Sequence, residues 1–261
     1  MPFLSAGSIK YYQFNTLDVQ GIFHAVFTRQ GGVSPAPWSS LNFGASVGDD
    51  KRRVLHNREL ALRALNLAPE SVFDLYQIHS TNIVITNRPL ALGEGHQKAD
   101  AILTSQPNVT LMMRFADCTP ILVYDPVKRV IGIAHAGWIG TVEQIAKKMV
   151  FSMIEEYGTN PNDLIAAIGP SIGPDHYSVG KEVIDRVYTR LGDRADQLIL
   201  NRNGKSYFDL WKANQFLLMD IGVTRIEVSG ICTCCNLEDW YSHRGEQGKT
   251  GRFGIVFGLS Q

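Results

Sequence analysis

Residues 110–141 read TLMMRFADCTPILVYDPVKRVIGIAHAGWIGT, and three apolar runs in this stretch decide the fold. Residues 111–115, 121–124 and 130–134 are short, continuous and apolar, the pattern of strands buried on both faces. Asp125-Pro126 with Lys128-Arg129 predicts a turn that sends the third run back past the second. The runs place one thiol, Cys118, and one imidazole, His135, at strand ends. Groups carried on strand ends are held in place. A nucleophile with its base requires that, and so does a metal site.

Upstream, residues 71–77 read as a strand that delivers Gln77-Ile78-His79-Ser80, and residues 83–86 and 99–104 as two more. Residues 22–28 are the best strand candidate nearer the start, followed by the loop Arg29-Gln30-Gly31-Gly32. Asp49-Asp50 looks like a helix N-cap, with Val54, Leu55, Leu60, Leu62 and Leu65 as a helical stripe ending near Asn66. Downstream, Val142, Ile145, Ala146, Met149, Val150, Met153 and Ile154 predict one helix over 141–157. Its N-terminal amides would point towards His135 and offer a seat for an anion. Residues 164–168, 225–231 and 253–259 read as strands, and 180–191 and 209–221 as helices. No repeat, low-complexity tract or linker interrupts this alternation. Residues 1–261 are therefore expected to form a single α/β domain with a mixed sheet.

A hydrophobic content of 44% with 19% charged residues gives an ordinary globular core. Zero net charge argues against nucleic-acid and anionic-membrane partners. The opening MPFLSAGSIKYYQF lacks the basic-then-apolar run of a secretory signal, and no stretch approaches about 18 uninterrupted apolar residues. A cytoplasmic protein is expected. Its four cysteines, Cys118, Cys232, Cys234 and Cys235, form a poor disulfide framework and read as reduced thiols.

Two constellations carry chemistry. Cys118 with His135 and His79 would give Zn²⁺ two nitrogens and one sulfur, leaving a fourth position open. Without metal, His135 would lower the thiol pKa and make Cys118 a nucleophile. Cys232, Cys234 and Cys235 look like a metal clip but lack a second ligand pair, so buried, inert thiols are expected there. Arg29 reads either as a solvated surface charge or as a substrate contact.

Four ordered motifs go further: Gln77-Ile78-His79, Ala99-Asp100-Ala101, Ala116-Asp117-Cys118 with Pro120, and His135-Ala136-Gly137-Trp138. Together they resemble the YfiH-like family, long labelled multicopper polyphenol oxidases or laccase-domain proteins. Matches continue at Thr28 to Ser34, Ile168-Gly169-Pro170, Asp209-Leu210-Trp211, Tyr241-Ser242-His243-Arg244 and Thr250-Gly251-Arg252. The resemblance implies a layered α/β sandwich with mixed sheets, of the kind shared with cytotoxic-necrotizing-factor-like cysteine hydrolases. It puts zinc, or copper in some members, on His79, Cys118 and His135. It also implies purine nucleoside phosphorylase activity on adenosine, inosine and methylthioadenosine, together with adenosine deaminase activity. The expected partners are a small-molecule nucleoside and phosphate, with no nucleic acid and no membrane. Two positions depart from the family pattern: Ile139 stands where an arginine is usual, and His176 where a cysteine is frequent. Arg29 or Arg244 is the expected substitute if that arginine contacts phosphate.

Other readings of the same motifs are a cysteine hydrolase editing peptidoglycan precursors, a laccase-like polyphenol oxidase, and a metal-binding protein without turnover. Multicopper electron transfer needs a His₂Cys blue-copper site plus further histidine-rich sites. Seven histidines without a His-x-His pair do not build these. Deamination fits better, since zinc-bound water has the reactivity to attack C6 of adenine. Phosphorolysis needs a bound anion near C1′ and a donor to the departing purine.

Overall fold

Side-chain alternation along three central strands sorts the apolar residues into two separate cores. In the computed structural model, which describes residues 2–260, the chain first forms β1 (Phe3–Ala6), β2 (Ile9–Tyr12), β3 (Ile22–Phe27), α1 (Lys51–Ala64) and β4 (Val72–Asp74). The middle supplies β5 (Ile83–Ile85), β6 (Ala101–Thr104), β7 (Thr110–Phe115), β8 (Thr119–Asp125), β9 (Val130–Ala136), α2 (Trp138–Val142) and α3 (Ile145–Tyr157). Then come β10 (Ile165–Ile168), β11 (Ser178–Val179), α4 (Lys181–Leu191), β12 (Ile199–Arg202) and β13 (Lys205–Phe208). The chain continues through α5 (Leu210–Asp220), β14 (Arg225–Val228) and β15 (Phe253–Leu259). Residues 1 and 261 of the expected 1–261 unit lie outside the described residues.

Two six-stranded sheets result, ordered β1-β2-β3-β15-β7-β4 and β14-β10-β8-β9-β6-β5, with a small third sheet β11-β13-β12. Each large sheet is mixed. The pairs β4–β7, β5–β6 and β10–β14 are parallel, while β8–β9 and β15–β7 are antiparallel. The chain thus has the expected α/β architecture of layered mixed sheets.

Along β7, Leu111, Met113 and Phe115 face the second sheet, while Met112 faces α1 with Ala61 and Leu62. Along β8, Leu122 and Tyr124 join the core between the sheets, whereas Ile121 and Val123 pack with Met149 and Met153 of α3 and Leu217 of α5. Period-two alternation between two buried faces produces the layer order α1, first sheet, second sheet, α3 with α5. Gly132 in β9 is needed for this packing. A Cβ there would stand 2.5 Å from Leu103 Cδ2 and 3.2 Å from Met149 Sδ.

The single helix expected over 141–157 is broken. Helix α2 opens directly after Gly137, and Gln144 takes φ +63° before α3 begins. Val142 packs with Val187, Leu210 and Ala213, while Ile145 packs on the second sheet with Met149. Apolar positions that suit one helical face on paper serve two cores, and the chain bends between them. The expected anion seat near Thr141 is lost with that helix start, since Thr141 is fully buried inside α2. Asp50 caps α1, accepting from Arg52 N–H, but Leu55 of the expected apolar stripe is exposed.

A candidate active site at the corner between the sheets

Strand β7 belongs to the first sheet and β8 to the second, and only Ala116-Asp117-Cys118 joins them. Asp117 turns this corner with φ +79°, a left-handed conformation that is costly for a side chain other than glycine. Surrounding bonds hold it there. Its buried carboxylate accepts from Thr233 Oγ1 (2.6 Å), Ser242 Oγ (2.7 Å) and Arg244 N–H (2.6 Å). Cys118, half-buried, follows at once.

Asp100 organises the other side. It is completely buried, and its carboxylate accepts from the backbone N–H groups of Ile78 (3.2 Å), His79 (3.0 Å) and Ser80 (2.6 Å). Ser80 Oγ donates to it at 2.8 Å, and His135 Nδ1 lies 2.9 Å away. One carboxylate therefore fixes His79, which has φ +59°, relative to His135. Burial raises the Asp100 carboxyl, but its bonds to His135 and Ser80 and the His135 charge hold it below the usual range.

His79, Cys118 and His135 each offer a donor atom, all within 4.8 Å of one another. The two rings meet edge-on, 4.9 Å between centroids. A Cβ on Gly137 would stand 3.0 Å from Cys118 Sγ and 3.3 Å from His79 Cδ2, so the missing side chain keeps this cradle open. Burial pushes the Cys118 thiol up, but the charge of His135 and hydrogen bonds from both histidines bring it down to about 6. Burial likewise lowers His135, but Cys118 and Asp100 raise it to about 9. Without metal, both shifts favour a thiolate–imidazolium pair. Two imidazoles, one thiolate and an open side fit the donor set of catalytic zinc, and they also suit copper.

A cavity of about 630 Å³ opens above these groups. Apolar Val54, Leu55, Leu75 and Tyr76 line it together with cationic Lys51, Arg58, Arg114, Arg244 and Arg252. Asp117 is the one carboxylate lining it among the described residues. Arg58 and Arg114 share Asp74, at 3.3 and 2.8 Å. Arg252 donates to the carbonyls of Gly251 (2.8 Å) and Thr250 (3.4 Å), and Arg244 to Ser178 Oγ (2.9 Å). Among the described residues, neither of these two side chains meets a carboxylate.

Residues 23–260 match the family model described as multi-copper polyphenol oxidoreductase laccase. The chain belongs to this family. It is 41% identical over 244 residues to the purine nucleoside phosphorylase YlmD of Bacillus subtilis, covering 90% of this chain and 87% of the relative. It is 39% identical over 237 residues to a purine nucleoside phosphorylase of Deinococcus radiodurans, covering 90% and 88%. The crystal structure of the Bacillus licheniformis hypothetical protein YfiH matches with TM-score 0.91 and 35% identity over 99% of both chains.

The laccase family's name denotes multicopper chemistry. Among the described residues, however, the metal-donor clusters hold two histidines here and one elsewhere. That falls short of a blue-copper site plus further histidine-rich sites.

In this laccase-family chain His79, Cys118 and His135 converge from three segments, but Arg29 does not line the cavity. Arg29 donates to Glu246 Oε1 (3.0 Å), Ser39 O (2.6 Å) and Leu237 O (2.9 Å) and lies over the Tyr241 ring. These contacts tie its loop to the carboxy-terminal segment. Ile139 is also absent from the cavity lining. Sequence reading missed the roles of Asp100 and Asp117, although both stand in quoted motifs. It missed Arg58 and Arg114 altogether, because their convergence depends on α1 packing on the first sheet. The carboxy-terminal cysteines are all free, but only Cys232 is buried and Cys235 is exposed. No helix among the described residues is long and apolar enough to cross a membrane.

Proposed function

We propose that this chain is a purine nucleoside phosphorylase that also deaminates adenosine, with both reactions in the cavity over Cys118. The observation that carries this reading is a cavity lined by both cationic and apolar side chains, with the His-Cys-His cradle at its floor. The names of the bacterial relatives support it. Adenosine, inosine and methylthioadenosine share a flat purine that suits Leu55, Leu75 and Tyr76. Arg252 and Arg244, free of carboxylate partners, suit a phosphate dianion. In phosphorolysis a phosphate oxygen bonds to ribose C1′ as the C1′–N9 bond breaks. The bonding pair leaves with the purine, which takes up a proton, and ribose 1-phosphate remains.

In deamination water adds to C6 and the amino group departs as ammonia. His79, Cys118 and His135 would hold zinc, or copper, which when bound would supply the Lewis acidity that makes water nucleophilic near neutral pH. Asp100 holds the His135 ring through Nδ1 and leaves Nε2 for the cradle, and Asp117 holds the corner that presents Cys118. Four free thiols suit a cytoplasmic setting. The test is product analysis with adenosine in phosphate and in phosphate-free buffer. Ribose 1-phosphate with adenine should appear only in phosphate, and inosine in both. No ribose 1-phosphate from any purine nucleoside would end this reading.

A second reading rests on the order Asp100–His135–Cys118, which is that of orienter, base and nucleophile. It would make the chain a hydrolase akin to cytotoxic-necrotizing-factor-like enzymes, acting on a peptidoglycan precursor through a thioester. Metal-stripped protein would then stay active and lose activity on thiol alkylation. Under the first reading, stripping alone stops deamination.

A further inference from the structure

Two turns that both contact the Asp117–Cys118 corner bring four donors together. Asp175 and His176 come from the turn after Gly173, and Cys232 and Cys235 from the turn after β14; all four donor atoms lie within 4.8 Å of one another. The Cys-x₂-Cys pair therefore has the second ligand pair that the sequence did not reveal. The geometry points to a second metal site here, built for Zn²⁺ and separate from the His79–Cys118–His135 cradle.

Three donor spacings about His176 Nδ1 come close to those of a tetrahedral ion. Bonds of about 2.0–2.3 Å give donor–donor edges of roughly 3.3–3.8 Å. His176 Nδ1 lies 3.4 Å from Cys235 Sγ, 3.8 Å from Cys232 Sγ and 3.2 Å from Asp175 Oδ1, and Cys235 Sγ lies 3.9 Å from Asp175 Oδ2. Two sulfurs with one nitrogen favour zinc over calcium or magnesium, which prefer all-oxygen shells. Gly173 N–H donates to Cys232 Sγ at 3.1 Å, the kind of outer contact that orients a thiolate ligand. A Cβ on Gly173 would come within 2.6 Å of Asp175 Oδ1 and 3.2 Å of Cys232 Sγ, so the close approach depends on glycine. The turns are already registered by Thr233 N–H on Ser171 O (3.1 Å) and by the bridge between Ser171 and Cys232.

The metal would be structural. All four donors come from the protein, and both turns reach Asp117: Thr233 Oγ1 donates to its carboxylate and Ile172 N–H to its carbonyl at 3.0 Å. A metal here would tie together the two segments that brace the catalytic corner. This assignment does not depend on the proposed reactions.

The test uses the full chain, stripped and reloaded with Zn²⁺, then desalted. Native protein should hold about two equivalents per chain, and both Cys118→Ala and Cys232→Ser/Cys235→Ser about one. With Co²⁺, Cys118→Ala should keep a thiolate-to-cobalt charge-transfer band, because its remaining ligand thiols are Cys232 and Cys235. That band should vanish in the triple variant. Asp175 is exposed, so Asp175→Asn should keep the fold and weaken Zn²⁺ binding to the Cys118→Ala background about tenfold or more. Cys118→Ala protein that takes up no Zn²⁺ and shows no cobalt band would overturn the assignment. So would a Cys232–Cys235 disulfide in purified native protein that persists when Zn²⁺ is added under reducing conditions.

Discussion

His135 Nδ1 lies 2.9 Å from Asp100 Oδ1, and this contact decides which nitrogen of the imidazole faces Cys118. Asp100 is held as a carboxylate, an acceptor only, so Nδ1 carries the proton and Nε2 is turned to the cradle. The same carboxylate receives three consecutive backbone N–H groups from residues 78–80. Orientation of His135 and placement of His79 are thus a single structural event.

Asp100→Asn should separate that event from simple bulk. An amide has one acceptor oxygen and cannot serve all of these donors. Metal affinity or activity should fall about 10- to 100-fold. Metal content and kcat measured on the same preparation check this, and unchanged values would remove Asp100 from the mechanism.

Gly137→Ala tests the cradle directly. Gly137 has φ −70°, which alanine adopts freely, so the cost is the contact of its Cβ with Cys118 Sγ and His79 Cδ2. We expect an unfolding midpoint close to native with at least about tenfold weaker metal binding, the effect of a displaced ligand set. Isothermal titration with Zn²⁺ in a Cys232→Ser/Cys235→Ser background isolates this cradle.

Arg252→Met should distinguish the two proposed reactions. Removing a hydrogen-bonding cation from phosphate costs about 1.5–3 kcal/mol, or roughly a 10- to 100-fold rise in the KM for phosphate. Deamination uses no phosphate and should keep its kcat. Equal loss of both activities would mean that Arg252 supports the cavity rather than the anion.

Asp74 sets an acid limit on stability. It is paired with Arg114 (2.8 Å), Arg58 (3.3 Å) and His96 (2.7 Å). Burial raises its carboxyl, but the His96 hydrogen bond and the two arginine charges hold it below the ordinary value. The unfolded chain therefore binds that proton more readily than the folded one. The stabilisation is complete above about pH 4 and is lost as pH falls through the depressed folded value. Asp74→Asn should lower stability at neutral pH by roughly 3 kcal/mol and flatten its decline below about pH 4. Urea midpoints across pH check this; parallel curves for the two proteins would refute it.

Legibility in the sequence followed the range of the forces involved. Strands β7, β8 and β9 and the turn between the last two were readable, because local apolar runs and Asp125-Pro126 specify them. His79, Cys118 and His135 were readable through motifs. Asp100 and Asp117 stood in the same motifs, yet a carboxylate's role depends on donors from residues 78–80 or 233–244, and spacing does not show those. The break at Gln144 was hidden because Val142 and Ile145 fit one helical stripe while serving different cores. The apolar stripe of α1 predicts Leu55 inside, whereas Leu55 is exposed and lines the cavity. His176 and Cys232 are far apart in sequence, and only the folded turns bring them together.

Strand β15 lies between β3 and β7, at the middle of the first sheet. On the ribosome, β3 and β7 therefore wait for a partner that is made long after both of them. A nascent chain halted before Phe253 has two fragments of the first sheet with open edges, and Thr250, Gly251 and Arg252 are still inside the ribosome. The Arg252 part of the cavity lining and the Ser242–Arg244 brace on Asp117 are completed in the same late step. Translation thus withholds the cavity until the sheet closes, and a truncated product would expose aggregation-prone strand edges rather than a partly working enzyme.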